Sequence, residues 1–191
     1  MTRLTIVTKI LAFAVQLASA QTSTWDSDPN HSEVDFAISH MSISKVHGRF
    51  GNVAAAIQYN ESDITKSSVQ VSIDVDTVDT GNQSRDTDIK GSKYFDVANF
   101  PKATFTSTSV AKNGNNLTVS GNFTLHGVTK PVVLDVEGPT ASVTDGRKKI
   151  HRGFSATTTI KRTDFGIGAS VPSAMLGDEV QLTIEVDAIK Q

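Results

Sequence analysis

The chain has 191 residues, a length that suits one domain, and its formal net charge is −2. This slight acidity argues against nucleic acid as a partner and against a polybasic membrane-binding surface. The chain contains no cysteine, which excludes disulfides and thiolate metal sites.

The first twenty residues have the features of a cleaved signal peptide. Their charged side chains are Arg3 and Lys9, a short apolar run follows, and small residues end the segment at Ala20. The apolar run is too short to span a bilayer stably. We therefore expect cleavage of residues 1–20, a periplasmic or secreted protein without a permanent membrane anchor, and one mature domain over residues 21–191.

Alternation of apolar and polar residues dominates the mature chain and predicts β-strands that bury one face. The alternating segments are residues 34–38, 69–75, 117–125, 132–136, 154–160 and 180–186. Turn signals separate them at Asn113-Gly114, Gly138-Pro139 and Asp145-Gly146. Many short strands joined by hairpins predict a sandwich or a closed barrel, and closure removes unpaired strand edges.

Two segments interrupt the alternation. Residues 82–90 are polar apart from Ile89, begin at the cap candidate Asn82 and stop at Gly91, which predicts a short helix. The segment from 40 to 45 predicts one helical turn. Neither can be a core strand, so we expect both to lie across an end of the barrel.

Ordered motifs along the mature chain resemble the YceI-like domain family of bacterial polyisoprenoid-binding proteins. They are Asp28-Pro29-Asn30-His31-Ser32, Val34-x-Phe36-x-Ile38-x-His40, Val78-Asp79-Thr80-Gly81, Arg85-Asp86, Tyr94-Phe95-Asp96, Phe100-Pro101-x-Ala103-Thr104-Phe105, Leu125-His126-Gly127 and Arg162-Thr163-Asp164-Phe165-Gly166. The resemblance implies an all-β fold: an eight-stranded antiparallel lipocalin-like barrel, with one or two short helices near its ends. It also implies an isoprenoid-chain ligand in an apolar cavity, without a metal, a cofactor or catalysis.

The chain departs from the family pattern in its predicted helix. Asp88 stands where the family usually has histidine, and Ile89 stands where it usually has leucine. Lys93 occupies a commonly acidic position. These differences fall near the expected mouth, so the head-group chemistry is the part that transfers least from the family.

The candidate ligand-binding residues form an inward apolar stripe, aromatic residues near the turns and a few polar residues expected at the mouth. They are Phe36, Ile38, His40, Phe50, Val71, Ile73, Arg85, Asp86, Phe95, Phe100, Phe105, Phe123, Leu134, Phe154, Ile160, Phe165, Leu182 and Ile184. Patterning alone favours a core filled by these side chains, as eight strands allow. The family resemblance favours a cavity instead.

The polar candidates have structural alternatives. Arg85 could face a phosphate or quinone oxygen through its planar fork of donors, or could form an ion pair with Asp86. Arg162 with Asp164 poses the same choice between an ion pair and a ligand contact, and there we favour the structural role. His40 continues the inward parity of its strand and is either a ligand contact or a structural histidine. The five histidines lack the spacing of a zinc site.

Three functions compete at this point. The favoured one is an exported carrier for an isoprenoid lipid or quinone-like ligand. An enzyme acting on such a lipid would require Arg85, Asp86 and His40 to converge within hydrogen-bond reach. A protein-interaction or stress-response module would have a filled barrel and an exposed apolar patch. A homodimer is one of the assemblies left open.

Overall fold

The computed structural model describes residues 22–191, and the predicted signal peptide lies outside these residues. Strands dominate the described chain, with one α-helix, α1 (Gln83–Lys90). The strands are β1 (Thr22–Ser27), β2 (Glu33–His40), β3 (Ser44–Phe50), β4 (Val53–Asn60), β5 (Ser68–Asp74), β6 (Lys102–Asn113), β7 (Asn116–Leu125), β8 (Val128–Glu137), β9 (Val143–Thr144), β10 (Ile150–Lys161) and β11 (Leu176–Lys190). No helix within residues 22–191 is long and apolar enough to cross a membrane.

Eight of the strands close into an antiparallel barrel, as the resemblance implied. Hydrogen bonding runs in the order β11, β1, β4, β5, β6, β7, β8 and β10, and β10 pairs with β11 to complete the ring. The predicted hairpin at Asn113-Gly114 joins β6 to β7. The ladder between β8 and β10 covers only Asp135 to Glu137 of β8, whereas the ladder between β10 and β11 is long, from His151 to Lys161 of β10. Closure of the ring reduces the unpaired strand edges that favour edge-to-edge association.

The hairpin of β2 and β3 extends the barrel at one end. β2 pairs with the first part of β11, from Leu176 to Glu185, whereas β1 pairs with the last residues of β11. β1 and β2 therefore lie along the same edge of β11, with β2 beside its first part and β1 beside its last residues. The end of the barrel at which β11 begins is called the mouth below, because this hairpin and α1 both lie there.

The predicted helical turn over residues 40–45 is wrong. The chain instead makes a three-residue hairpin connection, Met41 to Ile43, in which Ile43 N–H donates to the His40 carbonyl at 3.2 Å. Met41 and Ser42 have positive φ, 53° and 58°, as the two central residues of a type I′ turn do. Antiparallel pairing of β2 with β3 decided the local structure, because the ladder continues to His40 and Ser44 and a helical turn over these residues would break it.

The predicted helix is present as α1 and begins where the sequence indicated. The Asn82 side chain accepts a hydrogen bond from Arg85 N–H at 3.1 Å, which caps the first turn. The helix stops at Gly91, whose N–H bonds to the Asp88 carbonyl. Although α1 has no fully buried residue, hydrogen bonds of Arg85 and Asp86 with Thr80 and an ion pair of Lys90 with Asp76 hold it at the mouth.

The far end of the barrel is closed by an aromatic cluster. Trp25 is 2% exposed and packs with Ile57 and Ala188, and its Nε1–H donates to Ser23 Oγ at 2.8 Å. The guanidinium of Arg152 covers Trp25 from outside, with its carbon 5.0 Å from the ring centroid. This end is therefore a packed floor, and access to the interior lies at the opposite end.

Candidate ligand-binding cavity

The barrel interior holds an apolar cavity of about 590 Å³ instead of a filled core. That volume lies within the usual range for small-molecule sites, roughly 300–1,000 Å³. Most of the predicted ligand-binding residues line it, namely Phe36, Ile38, His40, Phe50, Val71, Ile73, Arg85, Phe95, Phe105, Phe123, Leu134, Ile160, Leu182 and Ile184. Whether these residues contact a ligand stays a prediction.

Four predicted residues lie outside the cavity lining. Phe154 has the inward parity of its strand, but it packs with the aromatic floor at the far end. Phe165 is buried edge-on against Phe123, with 5.6 Å between ring centroids, and Phe100 packs against His126 at 4.7 Å. Asp86 turns away from the interior to accept hydrogen bonds from Thr80.

Two glycines let aromatic rings lie flat along the cavity wall. A Cβ on Gly48 would stand 2.4 Å from the Phe36 ring, and one on Gly121 would stand 2.3 Å from the Phe105 ring. Any side chain there would displace the ring. The volume of the cavity therefore depends on glycine at both positions.

The cavity also has lining residues that the sequence did not indicate. Val34 and Val180 follow the same parity as their predicted neighbours, so alternation alone could have found them. Tyr94 and Ile167 come from irregular segments with no periodic signal. Ile89 is the one apolar residue of α1, and it lines the mouth, as expected for the apolar side chain of an otherwise polar helix.

Arg85 is held in a fixed orientation at the mouth by Thr80. Its Nε–H donates to Thr80 Oγ1 at 2.7 Å, and Nη2 donates to the Thr80 carbonyl at 2.9 Å. Thr80 Oγ1–H in turn donates to Asp86 Oδ1. Arg85 and Asp86 are thus linked through a threonine and do not form the direct ion pair considered above. Nη1 of Arg85 has no hydrogen-bond partner among residues 22–191, so it is available to a ligand.

The geometry gives little support to the catalytic hypothesis. Arg85 and His40 both line the mouth, but within the described residues no hydrogen bond joins His40 to Arg85 or Asp86. The carboxylate of Asp86 is already engaged by Thr80. The convergence that an acid–base pair requires is therefore absent from this part of the chain.

Arg162 has the structural role favoured from the sequence, although its ionic partner is different. Its five N–H donors bond to the carbonyls of Ile167, Gly168, Val171, Leu176 and Gly177 at 2.5–3.0 Å. The nearby carboxylate belongs to Asp178, 3.1 Å from Nη2, whereas Asp164 is exposed. Arg162 therefore fixes the loop of residues 166–175, which borders the mouth.

Ionisable side chains gather at the closed end as an ion-pair network. His31 Nδ1 lies 3.2 Å from Asp28 Oδ2, and Asp187 Oδ1 lies 2.8 Å from His151 Nδ1. The ligand atoms of Asp28, His31 and Asp187 are within 4.8 Å of one another. Since the histidines already pair with carboxylates, hydrogen bonding among the side chains accounts for the group, and we assign no metal to it.

His151 should make stability depend on pH. Its hydrogen bond with Asp187, assisted by the nearby charges of Asp187 and Asp145, raises its pKa above the ordinary value. Because His151 binds its proton more tightly in the folded protein, protonation stabilises the fold. This stabilisation is complete below the pKa of histidine in the unfolded chain, about 6.5, and is lost as pH rises through the higher pKa of the folded protein. We expect the Tm advantage of the wild type over His151→Gln to shrink across that interval. Parallel Tm curves for the two proteins in a thermal-unfolding pH series would contradict this.

Comparisons with known proteins agree with this architecture. The YceI-like domain family matches residues 25–188. The chain belongs to that family. It is 36% identical over 183 residues to Protein YceI of Salmonella newport (strain SL254), which covers 95% of this chain and 93% of that protein.

Solved structures of similar proteins show the same fold. Burkholderia cenocepacia BcnA matches with a TM-score of 0.74 at 25% identity, over 85% of this chain and 99% of that chain. The Campylobacter jejuni YCEI protein matches with a TM-score of 0.71 at 32% identity, over 81% and 90%. A polyisoprenoid binding domain from Saccharophagus degradans matches with a TM-score of 0.63 at 18% identity, over 90% and 100%, a likeness of fold alone. Family and fold together support a barrel binding protein.

Proposed function

We propose that this YceI-like protein binds an isoprenoid-chain amphiphile of the prenyl quinone or polyprenyl phosphate type, with the chain inside the barrel. The observation that carries the proposal is the apolar cavity of about 590 Å³ with a packed floor and one mouth. A buried chain gains roughly 0.8 kcal/mol per CH₂ before the ordering penalty is subtracted. The Saccharophagus degradans domain, which has the same fold, is a polyisoprenoid binding domain, and this supports the choice of an isoprenoid.

The mouth supplies the polar contacts that an amphiphile needs. Arg85 presents Nη1 beside the cavity, while His40 and Lys45 also line the opening. A phosphate or quinone oxygen at this level would accept hydrogen bonds from Arg85 while its chain lies below among aromatic rings. This division between a polar rim and an apolar interior suits binding better than catalysis.

Export is part of the same proposal. The first twenty residues predict a signal peptide, and removal of that segment would release a periplasmic or secreted domain. A prenyl chain is almost insoluble in water, so an exported domain with an internal apolar cavity could carry such a lipid between membranes or enzymes. Mass measurement of protein from the periplasmic and extracellular fractions tests the cleavage after Ala20.

The first experiment is extraction of the protein purified without detergent. Organic extraction followed by mass spectrometry should recover a stoichiometric prenyl-chain compound. An empty extract leads to titration with prenyl quinones and polyprenyl phosphates, because a ligand can be lost during purification. Absence of binding to every one of these compounds would overturn the proposed function.

Arg85 should distinguish charged from neutral head groups. We expect Arg85→Gln to weaken binding of a polyprenyl phosphate about tenfold or more, since hydrogen bonds to charged groups contribute roughly 1.5–3 kcal/mol. A prenyl quinone of the same chain length should lose less. Lys90→Gln is the matched control, because Lys90 lies on the same helix but pairs with Asp76 outside the cavity lining. Equal affinities for wild type and Arg85→Gln would remove Arg85 from the head-group site.

A further inference from the structure

An exposed apolar patch stands beside the mouth, and the proposed function does not use it. We define the mouth patch as Met41, Ile43 and Met175. These are three of the six large hydrophobic side chains that are exposed within residues 22–191, and Ile43 is 82% exposed. Their grouping at one end of the barrel contrasts with single exposed apolar residues, which are ordinary on protein surfaces.

The patch is continuous with the entrance to the cavity. Met41 and Ile43 lie in the hairpin turn between His40 and Ser44, and both of those residues line the cavity. Met41 N–H donates to the Met175 carbonyl at 3.0 Å, which joins the hairpin to the loop that Arg162 fixes. A surface that covers the patch would therefore also face the mouth.

The residues of the turn are not those that would best stabilise its backbone conformation. Consecutive turn residues with positive φ are usually Asn and Gly, whereas this turn has Met41 and Ser42 at those positions. A methionine with positive φ is strained, and here it also exposes apolar surface to water. Both features reduce stability, so the side chain is better explained by an interaction made through the turn.

We propose that the mouth patch inserts into the surface of a phospholipid bilayer, so that the mouth opens toward the lipid from which the ligand is taken. The inference rests on the proposed function, because an isoprenoid amphiphile resides in membranes. A projecting hairpin turn suits a deformable interface, where apolar side chains enter the boundary between head groups and acyl chains. Lys45, which lines the mouth two residues beyond Ile43, would lie at the level of the lipid phosphates.

Flotation with phosphatidylethanolamine–phosphatidylglycerol vesicles tests the insertion. We expect wild-type protein to float with the vesicles and Ile43→Asp to lower its partition coefficient about tenfold or more, since a buried isoleucine is lost. The matched control is Val143→Asp, an apolar side chain of similar exposure, 64%, at the far end of the barrel. It should stay within about twofold of wild type. Wild-type protein that does not float, or equal losses in both variants, would overturn the inference.

A second variant separates binding from folding. Met41→Asn with Ser42→Gly should raise the Tm, because it supplies the preferred turn residues, and should lower vesicle binding. Higher Tm with unchanged vesicle binding would contradict insertion through the turn. If size-exclusion chromatography instead shows a dimer that Ile43→Asp dissociates, without vesicle binding, the patch is a contact between copies and the membrane proposal fails.

Failure of this inference can be told apart from failure of the proposed function. Ile43→Asp should still bind a prenyl quinone added from a solvent stock, because Ile43 is absent from the cavity lining. Quinone binding without vesicle binding in the wild type would overturn the insertion alone. Vesicle binding without uptake of any prenyl compound would overturn the carrier function and, with it, the lipid-collecting role of the patch.

Discussion

Arg162→Ala is expected to lower the free energy of unfolding by about 4 kcal/mol, the largest stability loss that we predict for a single side chain. Arg162 is 2% exposed, and its five donors satisfy five backbone carbonyls of an irregular loop. Each buried polar group left without a partner costs about 1–3 kcal/mol, partly recovered as the loop rearranges and water enters. Urea unfolding followed by circular dichroism measures the change.

Two further variants make this prediction specific. Arg162→Lys should recover only part of the loss, because an ammonium group has three donors and lacks the planar fork. Arg49→Ala is the control for removing an arginine as such. Arg49 is exposed and meets Asp79 at 3.4 Å, so its loss should stay within about 1 kcal/mol. Similar losses for Arg162→Ala and Arg49→Ala would show that the carbonyl contacts contribute little.

The regular part of the barrel was predictable because period-two alternation is a local property. The polar residues on either side of an inward-facing residue of β2 or β11 identify it as buried, as for Phe36 and Leu182. The helix was equally local, since its cap residue Asn82 and its terminator Gly91 both lie within the segment. These predictions needed no knowledge of which strands would meet.

Depth along the barrel could not be predicted in the same way. Phe154 and Ile160 share one face of β10, yet Ile160 lines the cavity and Phe154 packs in the floor. Alternation states which face of a strand is buried and says nothing about how far along the axis a residue lies. For the same reason it cannot separate a cavity from a filled core, because both have identical inward stripes.

The mouth was the least predictable part because irregular segments build it. The hairpin turn at Met41 was misassigned as helical, since the six-residue segment from 40 to 45 carries too little periodicity to reveal strand pairing. The partner of Arg162 was also misassigned: Asp164 is near in sequence, but the loop brings Asp178 to the guanidinium. Tertiary contacts over many residues decide these positions, and no local pattern records them.

Val71→Trp is expected to abolish most of the ligand affinity while the barrel stays folded. Val71 lines the cavity from β5, between Ala55 on β4 and Phe105 on β6. Tryptophan is favoured in strands, and the open cavity can accept its ring with less strain than a packed core would impose. If the ring excludes about three CH₂ groups of the ligand chain, the loss is roughly 2.4 kcal/mol, or about 50-fold in Kd.

The control places the same side chain on the other face of the wall. Val133→Trp changes an exposed valine on β8 that is absent from the lining of the barrel cavity, so it should bind the ligand like wild type. Isothermal titration with a prenyl quinone compares the three proteins, and urea unfolding checks that each is folded. A folded Val71→Trp protein with unchanged Kd would place the ligand outside the barrel. Because the two valines differ mainly in the side of the wall they face, a loss confined to Val71→Trp locates the ligand chain inside.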